Sequence, residues 1–252
     1  MAGLSSNQIK FIRSLSQKKF RQESGLFIAE GEKIVNEALS SPFKVQSVYR
    51  MSEIGEECMK RITNLATPSP VLAVIEQRKD ALEFNRTKLL QSLELVENKT
   101  YKPLYLALDG VKDPGNMGTI IRLADWFGID AIFASPESVE IYNPKVVQAT
   151  MGAIFRKPVI YAPLEEVIET FGQASLPVHG TFLDGNSLYK TENLNRQGLI
   201  VMGSESFGIS ETLRSKITSK LLIPPYPTDA QTSESLNVAI ATAIICAEFR
   251  RG

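Results

Sequence analysis

The chain has 252 residues, of which 43% are hydrophobic, and its 28 basic side chains balance its 28 acidic ones. This is ordinary globular composition, and the length suffices for one large domain or two modest ones. No apolar run approaches the roughly 18–20 residues of a membrane helix, and the first residues lack the apolar stretch of a secretory leader. We therefore expect no membrane anchor and a cytoplasmic location. With two cysteines and one histidine, neither a disulfide framework nor an ordinary zinc site is expected, and no metal is predicted.

The neutral total conceals a basic segment at the start of the chain. Residues 1–21 contain basic side chains and no acidic one. The basic residues are Lys10, Arg13, Lys18, Lys19 and Arg21. Such a segment is typical of a surface that contacts phosphate groups, although the solvent-facing side of any helix can carry the same charges.

The first half of the chain alternates between helical and extended patterns, which predicts a small α/β domain over residues 1–97. In one predicted helix, for example, Ile34, Val35 and Ala38 recur at helical spacing. Helices are predicted over 5–15, 32–39 and 53–65, and strands over 26–29, 45–49 and 71–75. The polar stretch 94–103 ends at a proline and is the predicted linker.

The second half, residues 103–252, predicts a larger α/β domain. Its first strand, Leu104 to Leu108, is a nearly continuous apolar run, as expected of a parallel strand that is buried on both faces. A helix is predicted over 119–127, ended by Gly128. Further strands are predicted at 131–134, 159–161, 178–183, 199–202 and 221–223. The final helix should turn one apolar face to the core. That face comprises Leu236, Ala239, Ile240, Ala243, Ile244 and Ala247.

Polar turns follow three of these strands, at the ends where ligands bind in α/β sheets. The first turn leads to Asn116, placed to cap the next helix, and to Arg122, which can aim a donor fork at a phosphate or an oxyanion. Equally, Asn116 can be only a cap and Arg122 only a surface charge. This turn has no G-x-G-x-x-G dinucleotide fingerprint.

The other two turns carry a carboxylate and an amide. In the second, Gly203 allows close approach of a flat ligand, and Glu205 is either functional or a structural loop carboxylate. In the third, Ser233 or Ser235 is a candidate cap for the last helix. Asn237 opens that apolar helix, either in a functional role or as an amide satisfied by neighbouring backbone.

Taken together, the three turns resemble the signature of the SpoU (TrmH-like) branch of the SPOUT methyltransferases. The first is similar to the family's N-x-G-x-x-x-R, the second to its G-N-E-x-x-G-I and the third to its I-P…S-L-N-V. The matching positions are Asn116, Gly118 and Arg122; Gly203, Glu205, Gly208 and Ile209; and Ile223, Pro224, Ser235, Leu236, Asn237 and Val238. The order and spacing fit across about 150 residues. The amino-terminal half resembles, more loosely, the family's ribosomal-protein-like substrate-binding domain.

The sequence departs from the family pattern at three places. Ser204 stands where the family usually has Asn, and the pair Ser206-Phe207 replaces a commoner small or acidic pair. The loop 225–234 is longer, and Gln231 stands where Gly is common. The contacts of that loop with a cofactor are therefore not predicted.

The resemblance implies a parallel sheet whose carboxyl-terminal part threads a trefoil knot, and a homodimer with its site near the interface. It implies S-adenosylmethionine as the cofactor, held by Thr181, Gly203, Ile223 and Leu236. The implied reaction is methylation of a ribose 2'-hydroxyl in RNA, with ribosomal RNA favoured over transfer RNA, and the basic segment would contact that RNA.

The catalytic set implied by the resemblance is Arg122, Asn116, Glu205, Ser235 and Asn237. A guanidinium holds its proton far above neutral pH, so we interpret Arg122 as an electrostatic activator that the other four residues help to orient. The lone histidine, His179, has no partner motif and is expected to be a packing residue. The alternatives are an RNA-binding protein of the same fold without catalysis and an ordinary Rossmann-type nucleotide enzyme, which would need a glycine fingerprint after its first strand.

Overall fold

The computed structural model describes residues 4–78, 83–94, 102–191, 194–227 and 235–251. They form two compact units, residues 4–78 with 140–156 and residues 83–139 with 157–251. Most of the predicted linker, and Gln231, lie outside the described residues. The segment 140–156 falls inside the range predicted for the larger domain, but it packs in the first unit. The boundary at residues 97–103 stays a prediction.

The elements are named here in chain order. The helices are α1 Ser6–Ser14, α2 Lys18–Ser24, α3 Glu32–Leu39, α4 Met51–Ile54, α5 Glu56–Ile62, α6 Arg86–Glu94, α7 Pro114–Trp126, α8 Pro144–Thr150, α9 Leu164–Gln173, α10 Glu211–Arg214 and α11 Val238–Phe249. The strands are β1 Leu26–Glu30, β2 Val45–Arg50, β3 Val71–Glu76, β4 Leu104–Leu108, β5 Ile132–Ala134, β6 Val159–Tyr161, β7 Val178–Ser187, β8 Gly198–Met202 and β9 Ser219–Leu222.

The first unit contains an antiparallel sheet of order β1-β3-β2. The three strands predicted in this half are confirmed to within a residue at each end. The helix predicted over 53–65 is instead two short helices, because Gly55 has φ 84° and interrupts the helical backbone. At the start of the chain, Ser5 and Gln8 form a reciprocal capping box that begins α1.

The segment 140–156 joins this unit through aromatic packing. The ring of Tyr142 lies 4.5 Å from that of Phe27, and the ring of Phe155 lies 5.1 Å from that of Phe43. Helix α8 was not predicted from the sequence; it is short, and Asn143 caps it by accepting from the Lys145 N–H. Aromatic contacts between residues more than 100 positions apart carry no periodic signal in the sequence.

The second unit is built on a parallel sheet of order β6-β5-β4-β8-β7-β9. Every residue of β4 is buried, as predicted. In the register of this sheet, Leu108 lies beside Ala134 on one side and beside Met202 on the other. The carboxyl ends of three strands, and hence the turns that follow them, therefore share one edge. The predicted trefoil knot stays a prediction.

The helix after β4 starts earlier than predicted. Asp113 caps it by accepting from the Asn116 N–H at 2.8 Å, and Pro114 occupies its first turn. The prediction that Asn116 is the cap is therefore wrong. Asn116 lies in the first helical turn, which leaves its side-chain amide free for tertiary contacts.

The last helix is apolar on more than one side, and the predicted core face is only partly right. Ala239 is buried, but Leu236 and Ile240 are 47% and 53% exposed, and Ala247 is exposed. The buried side instead carries Val238, Thr242, Ile245, Cys246 and Phe249. Because small and aliphatic residues cover both sides, helical spacing alone could not choose between them.

None of the helices in the described ranges is long and apolar enough to cross a membrane.

Candidate active site

The first two polar turns are joined directly at the shared edge of the parallel sheet. Asp109 immediately follows β4, and its N–H donates to the Met202 carbonyl at 2.9 Å. Its carboxylate accepts from the Ser210 N–H at 2.7 Å, beyond the turn that follows β8. Asp109 thus holds the second turn against the first. Asp109 was not predicted from the sequence, although a carboxylate at the end of a buried strand is a recognisable signal.

Asn116, Glu205 and Asn237 form one hydrogen-bonded chain. The Asn116 side-chain amide donates to the Glu205 carboxylate, and the Asn237 amide donates to the Asn116 Oδ1 at 2.9 Å. The Asn237 Oδ1 in turn accepts from the Ala239 and Ile240 N–H groups at 3.0 and 3.2 Å. Three motifs that are far apart in the sequence therefore meet. Because Glu205 only accepts, it fixes which way each amide points.

Asn237, not Ser235, is the cap of α11. The prediction of a serine cap is wrong for this helix: Ser235 lies before the cap position, and Ser233 lies outside the described residues. The Asn237 oxygen satisfies helix backbone, and its nitrogen reaches Asn116. Ser235 is exposed, and it lines the cavity described below.

The turn after β8 is tightly closed. Ser204 and Gly208 exchange backbone hydrogen bonds at 2.9 and 3.0 Å, and the Ser204 Oγ accepts from the Phe207 N–H at 3.2 Å. A Cβ on Gly203 would lie 2.1 Å from the Gly208 backbone carbon, far inside contact distance. Only glycine fits at position 203, and the serine found in place of the family's usual Asn helps to close the turn.

A cavity of about 550 Å³ opens beside this turn, within the second unit. This size is typical of small-molecule sites. Its wall includes all four residues predicted to hold a cofactor, namely Thr181, Gly203, Ile223 and Leu236. Glu205 and Ser235 also line it, so the cavity borders the hydrogen-bonded chain. Across the wall, Arg214 pairs with Asp184 at 2.5 Å and lies over the Phe182 ring at 4.6 Å.

Within one copy of the protein, Arg122 is not part of the hydrogen-bonded chain of Asn116, Glu205 and Asn237. It is exposed, and it makes no hydrogen bond or ion pair with the part of the chain that the structure describes. It follows Asn116 by six positions on the same helix, so at 3.6 residues per turn the two side chains point about 120° apart. The structure thus brings together Asn116, Glu205 and Asn237 but leaves the guanidinium facing outward.

Four of the five predicted phosphate-binding residues are exposed: Lys10, Arg13, Lys18 and Lys19. Arg21 is the exception, and its prediction as a substrate contact is wrong. Its side chain is 2% exposed, pairs with Glu140 at 2.5 Å and donates to the Leu15 and Ser16 carbonyls at 2.9 and 2.8 Å. The Arg21 guanidinium makes these contacts inside the first unit, and a count of charges along the sequence cannot show this.

His179 lies outside both the cavity and the hydrogen-bonded chain. It is buried in β7, with its ring 4.9 Å from that of Phe249, and its Nε2 is 3.3 Å from the Gln197 carbonyl. Burial lowers the pKa of the imidazole below its usual value, which favours a neutral packing residue.

No group of three or more His, Cys, Asp or Glu that could hold a metal is found within the described ranges.

The fold and the site together are typical of an α/β ligand-binding protein: the parallel sheet brings the hydrogen-bonded residues Asn116, Glu205 and Asn237 next to a ligand-sized cavity. Residues 103–247 match the family model of the SpoU rRNA Methylase family. The chain belongs to this family, which confirms the resemblance seen in its motifs. Residues 6–77 match a second model, the MRM3-like substrate binding domain.

Similar proteins cover nearly the whole chain. A putative RNA methyltransferase of the TrmH family from Porphyromonas gingivalis is 36% identical, with a TM-score of 0.81 over 99% of both chains. An AdoMet-bound rRNA methyltransferase from Sinorhizobium meliloti is 31% identical, with a TM-score of 0.80 over 99% of this chain and 96% of that one. The 23S rRNA (guanosine(2553)-2'-O)-methyltransferase RlmP of Bacillus subtilis is 28% identical over 97% of this chain and 96% of its own length.

Proposed function

We propose that this protein transfers a methyl group from S-adenosylmethionine to a ribose 2'-hydroxyl of ribosomal RNA. The observation that carries the proposal is the Asn116–Glu205–Asn237 chain at the rim of the 550 Å³ cavity. Names of similar proteins that specify ribosomal RNA and 2'-O-methylation support the choice of substrate. We also propose that the reaction takes place in the cytoplasm.

The cavity fits the proposed cofactor. Gly203 leaves bare backbone on one wall, Ile223 and Leu236 provide apolar surface, and Thr181 adds a hydroxyl. The carboxylate of Glu205 on the same wall complements a positive charge. S-adenosylmethionine, when bound, supplies a sulfonium methyl group that an oxygen nucleophile can displace.

The reaction itself requires alignment and removal of one proton. Displacement of that methyl group by the ribose oxygen would break the carbon–sulfur bond, and the hydroxyl proton would leave to solvent. Asn116 and Glu205, fixed by Asn237, orient the ribose at the rim of the cavity. Arg122 acts through its charge beside the neighbouring phosphate, which lowers the pKa of the hydroxyl, and not as a base.

We propose that Arg122 performs this role in the site of a second copy of the chain. The helix that carries it, α7, ends at Trp126, which is 85% exposed, and packs against α11. The outward side of α11 carries the exposed apolar residues Ile240 and Ala247. A homodimer through these two helices would cover this apolar surface, which a monomer would leave in water.

The first unit would bind the RNA through its exposed basic side chains. Lys10, Arg13, Lys18 and Lys19 place exposed positive charge on α1 and α2, as expected of a surface that neutralises phosphates. This charge contributes affinity but does not select a sequence.

The decisive experiment is mass mapping of ribose methyl groups in ribosomal RNA from cells with and without the gene. The expected result is one methyl group that disappears in the deletion and returns with wild-type protein but not with an Asn116→Ala variant. Identical maps in both strains, together with no transfer to ribosomal RNA by purified protein, would contradict the proposal.

A further inference from the structure

The turn that carries Glu205 also holds an aromatic ring out in solvent. Phe207 is 89% exposed, although its backbone is fixed by the Ser204 Oγ and by the two Ser204–Gly208 backbone hydrogen bonds. This rigid turn presents the ring in a defined position. An apolar ring at such exposure gains no burial free energy from folding, so its surface is available to a ligand.

Phe207 stands at the border of two cavities. It lines the cavity assigned to the cofactor and also a second cavity of about 710 Å³ on the other side of the same turn. The second cavity lies between the ends of β4 and β5, where the Gly110 N–H donates to the Ser135 Oγ at 3.0 Å. Glu205 lines both cavities as well, so the hydrogen-bonded chain lies next to each.

The charges around the second cavity decide which part of an RNA could enter it. Its wall contains one basic side chain, Lys112, and several carboxylates. The acidic residues are Asp109, Glu137, Glu165, Glu166 and Glu205. This surplus of negative charge repels phosphate. A nucleobase is neutral, and its faces stack on aromatic rings. Its N–H groups can donate hydrogen bonds to carboxylates.

We propose that Phe207 is a stacking platform for the base of the target nucleotide, which enters the second cavity unpaired while its ribose faces Asn116 and Glu205. This inference rests on the proposed function and adds a specificity-determining contact to it. The backbone hydrogen bonds of the turn hold the residue that carries the ring next to Glu205. A base that remains stacked in a duplex cannot make this contact.

The test compares Phe207→Ala, Phe207→Trp and the control Tyr189→Ala in affinity for a ribosomal RNA fragment. Tyr189 is also an exposed aromatic residue, at 55%, but it lines neither cavity. Binding is measured by fluorescence anisotropy at saturating S-adenosylmethionine, and the KM for RNA is measured separately. We expect Phe207→Ala to raise the RNA Kd and KM by roughly 5- to 150-fold, the range found for loss of one base–aromatic stack. Phe207→Trp and Tyr189→Ala should stay near wild type.

A second readout locates the contact. With 2-aminopurine at the mapped methylation position, wild-type protein should change the fluorescence of the probe, and Phe207→Ala should not. Unchanged RNA affinity in Phe207→Ala would overturn the inference. A weaker cofactor Kd with an unchanged RNA KM would also overturn it, because the ring would then belong to the cofactor cavity. If wild-type protein binds RNA but methylates none, the proposed function fails, while the anisotropy comparison still tests Phe207.

Discussion

Asn237 donates its side-chain amide to Asn116 at 2.9 Å across 121 positions of sequence. Each residue is also oriented from its other side, because the Asn116 nitrogen is committed to Glu205 and the Asn237 oxygen to the backbone of α11. The Glu205 carboxylate at one end and the α11 N–H groups at the other therefore fix the same direction of hydrogen bonding through both amides.

Replacing Glu205 should disable the reaction without unfolding the protein. In Glu205→Ala the Asn116 amide loses its acceptor and is free to rotate, and misplacement of about 1 Å can cost about 100-fold in rate. We expect kcat to fall by about that factor with little change in melting temperature, since Glu205 is exposed. Glu205→Gln keeps an accepting oxygen and should lose less. Equal rates for Glu205→Ala and wild type in a methyl-transfer assay would contradict the proposed role.

Removal of the Arg122 guanidinium should abolish methylation and leave cofactor affinity nearly unchanged. Arg122→Lys keeps the charge but loses the donor fork, so partial activity is expected. Activity is measured by methyl transfer to ribosomal RNA, and affinity by calorimetric titration with S-adenosylmethionine. Wild-type turnover in Arg122→Ala would remove this residue from the mechanism.

Mixing two inactive variants tests whether Arg122 works across a dimer. In a heterodimer of Arg122→Ala and Glu205→Ala, one site combines an intact Glu205 with an intact Arg122 from the other subunit. Random reassortment of equal amounts should then restore about a quarter of wild-type activity. If Arg122 acts within its own chain, neither site of the heterodimer is complete, and the mixture should stay inactive.

Gly203→Ala should distort both the turn after β8 and the cavity that this turn lines. The added Cβ would lie 2.1 Å from the Gly208 backbone carbon, so the turn must shift, at a cost of about 1–3 kcal/mol. We expect a lower melting temperature and a weaker Kd for S-adenosylmethionine. The control is Gly172→Ala on α9, where nothing lies within 4 Å of the new Cβ and where alanine should be neutral or slightly stabilising. Unchanged cofactor affinity in Gly203→Ala would show that the turn does not shape the binding site.

Arg21→Met should destabilise the first unit, whereas Lys18→Ala should not. The buried guanidinium of Arg21 satisfies Glu140 and two backbone carbonyls. Its removal leaves all three unpaired, at a cost of about 3 kcal/mol. Thermal unfolding should show a loss of several degrees for Arg21→Met and none for the exposed Lys18 variant. A melting temperature equal to wild type would show that the ion pair does not contribute net stability.

Much of the second unit was predictable from local patterns. The apolar run of β4 reads as a strand that is buried on both faces, and the structure confirms it. The motif residues Asn116, Glu205 and Asn237 each follow a strand at its carboxyl end, which is why their convergence could be expected from a parallel sheet. The start of α7 was misplaced because Asp113 and Pro114 were not recognised as its cap and first turn.

The sequence by itself determined where buried strands occur and which polar turns follow them, because apolar periodicity and glycine positions act within a few residues. Only the tertiary structure decided that Arg21 faces Glu140, that segment 140–156 packs in the first unit and that one apolar side of α11 faces outward. Those outcomes depend on which distant surfaces meet. The free energy gained by burying apolar surface does not depend on direction, so the local spacing of apolar residues does not identify the surface against which they pack.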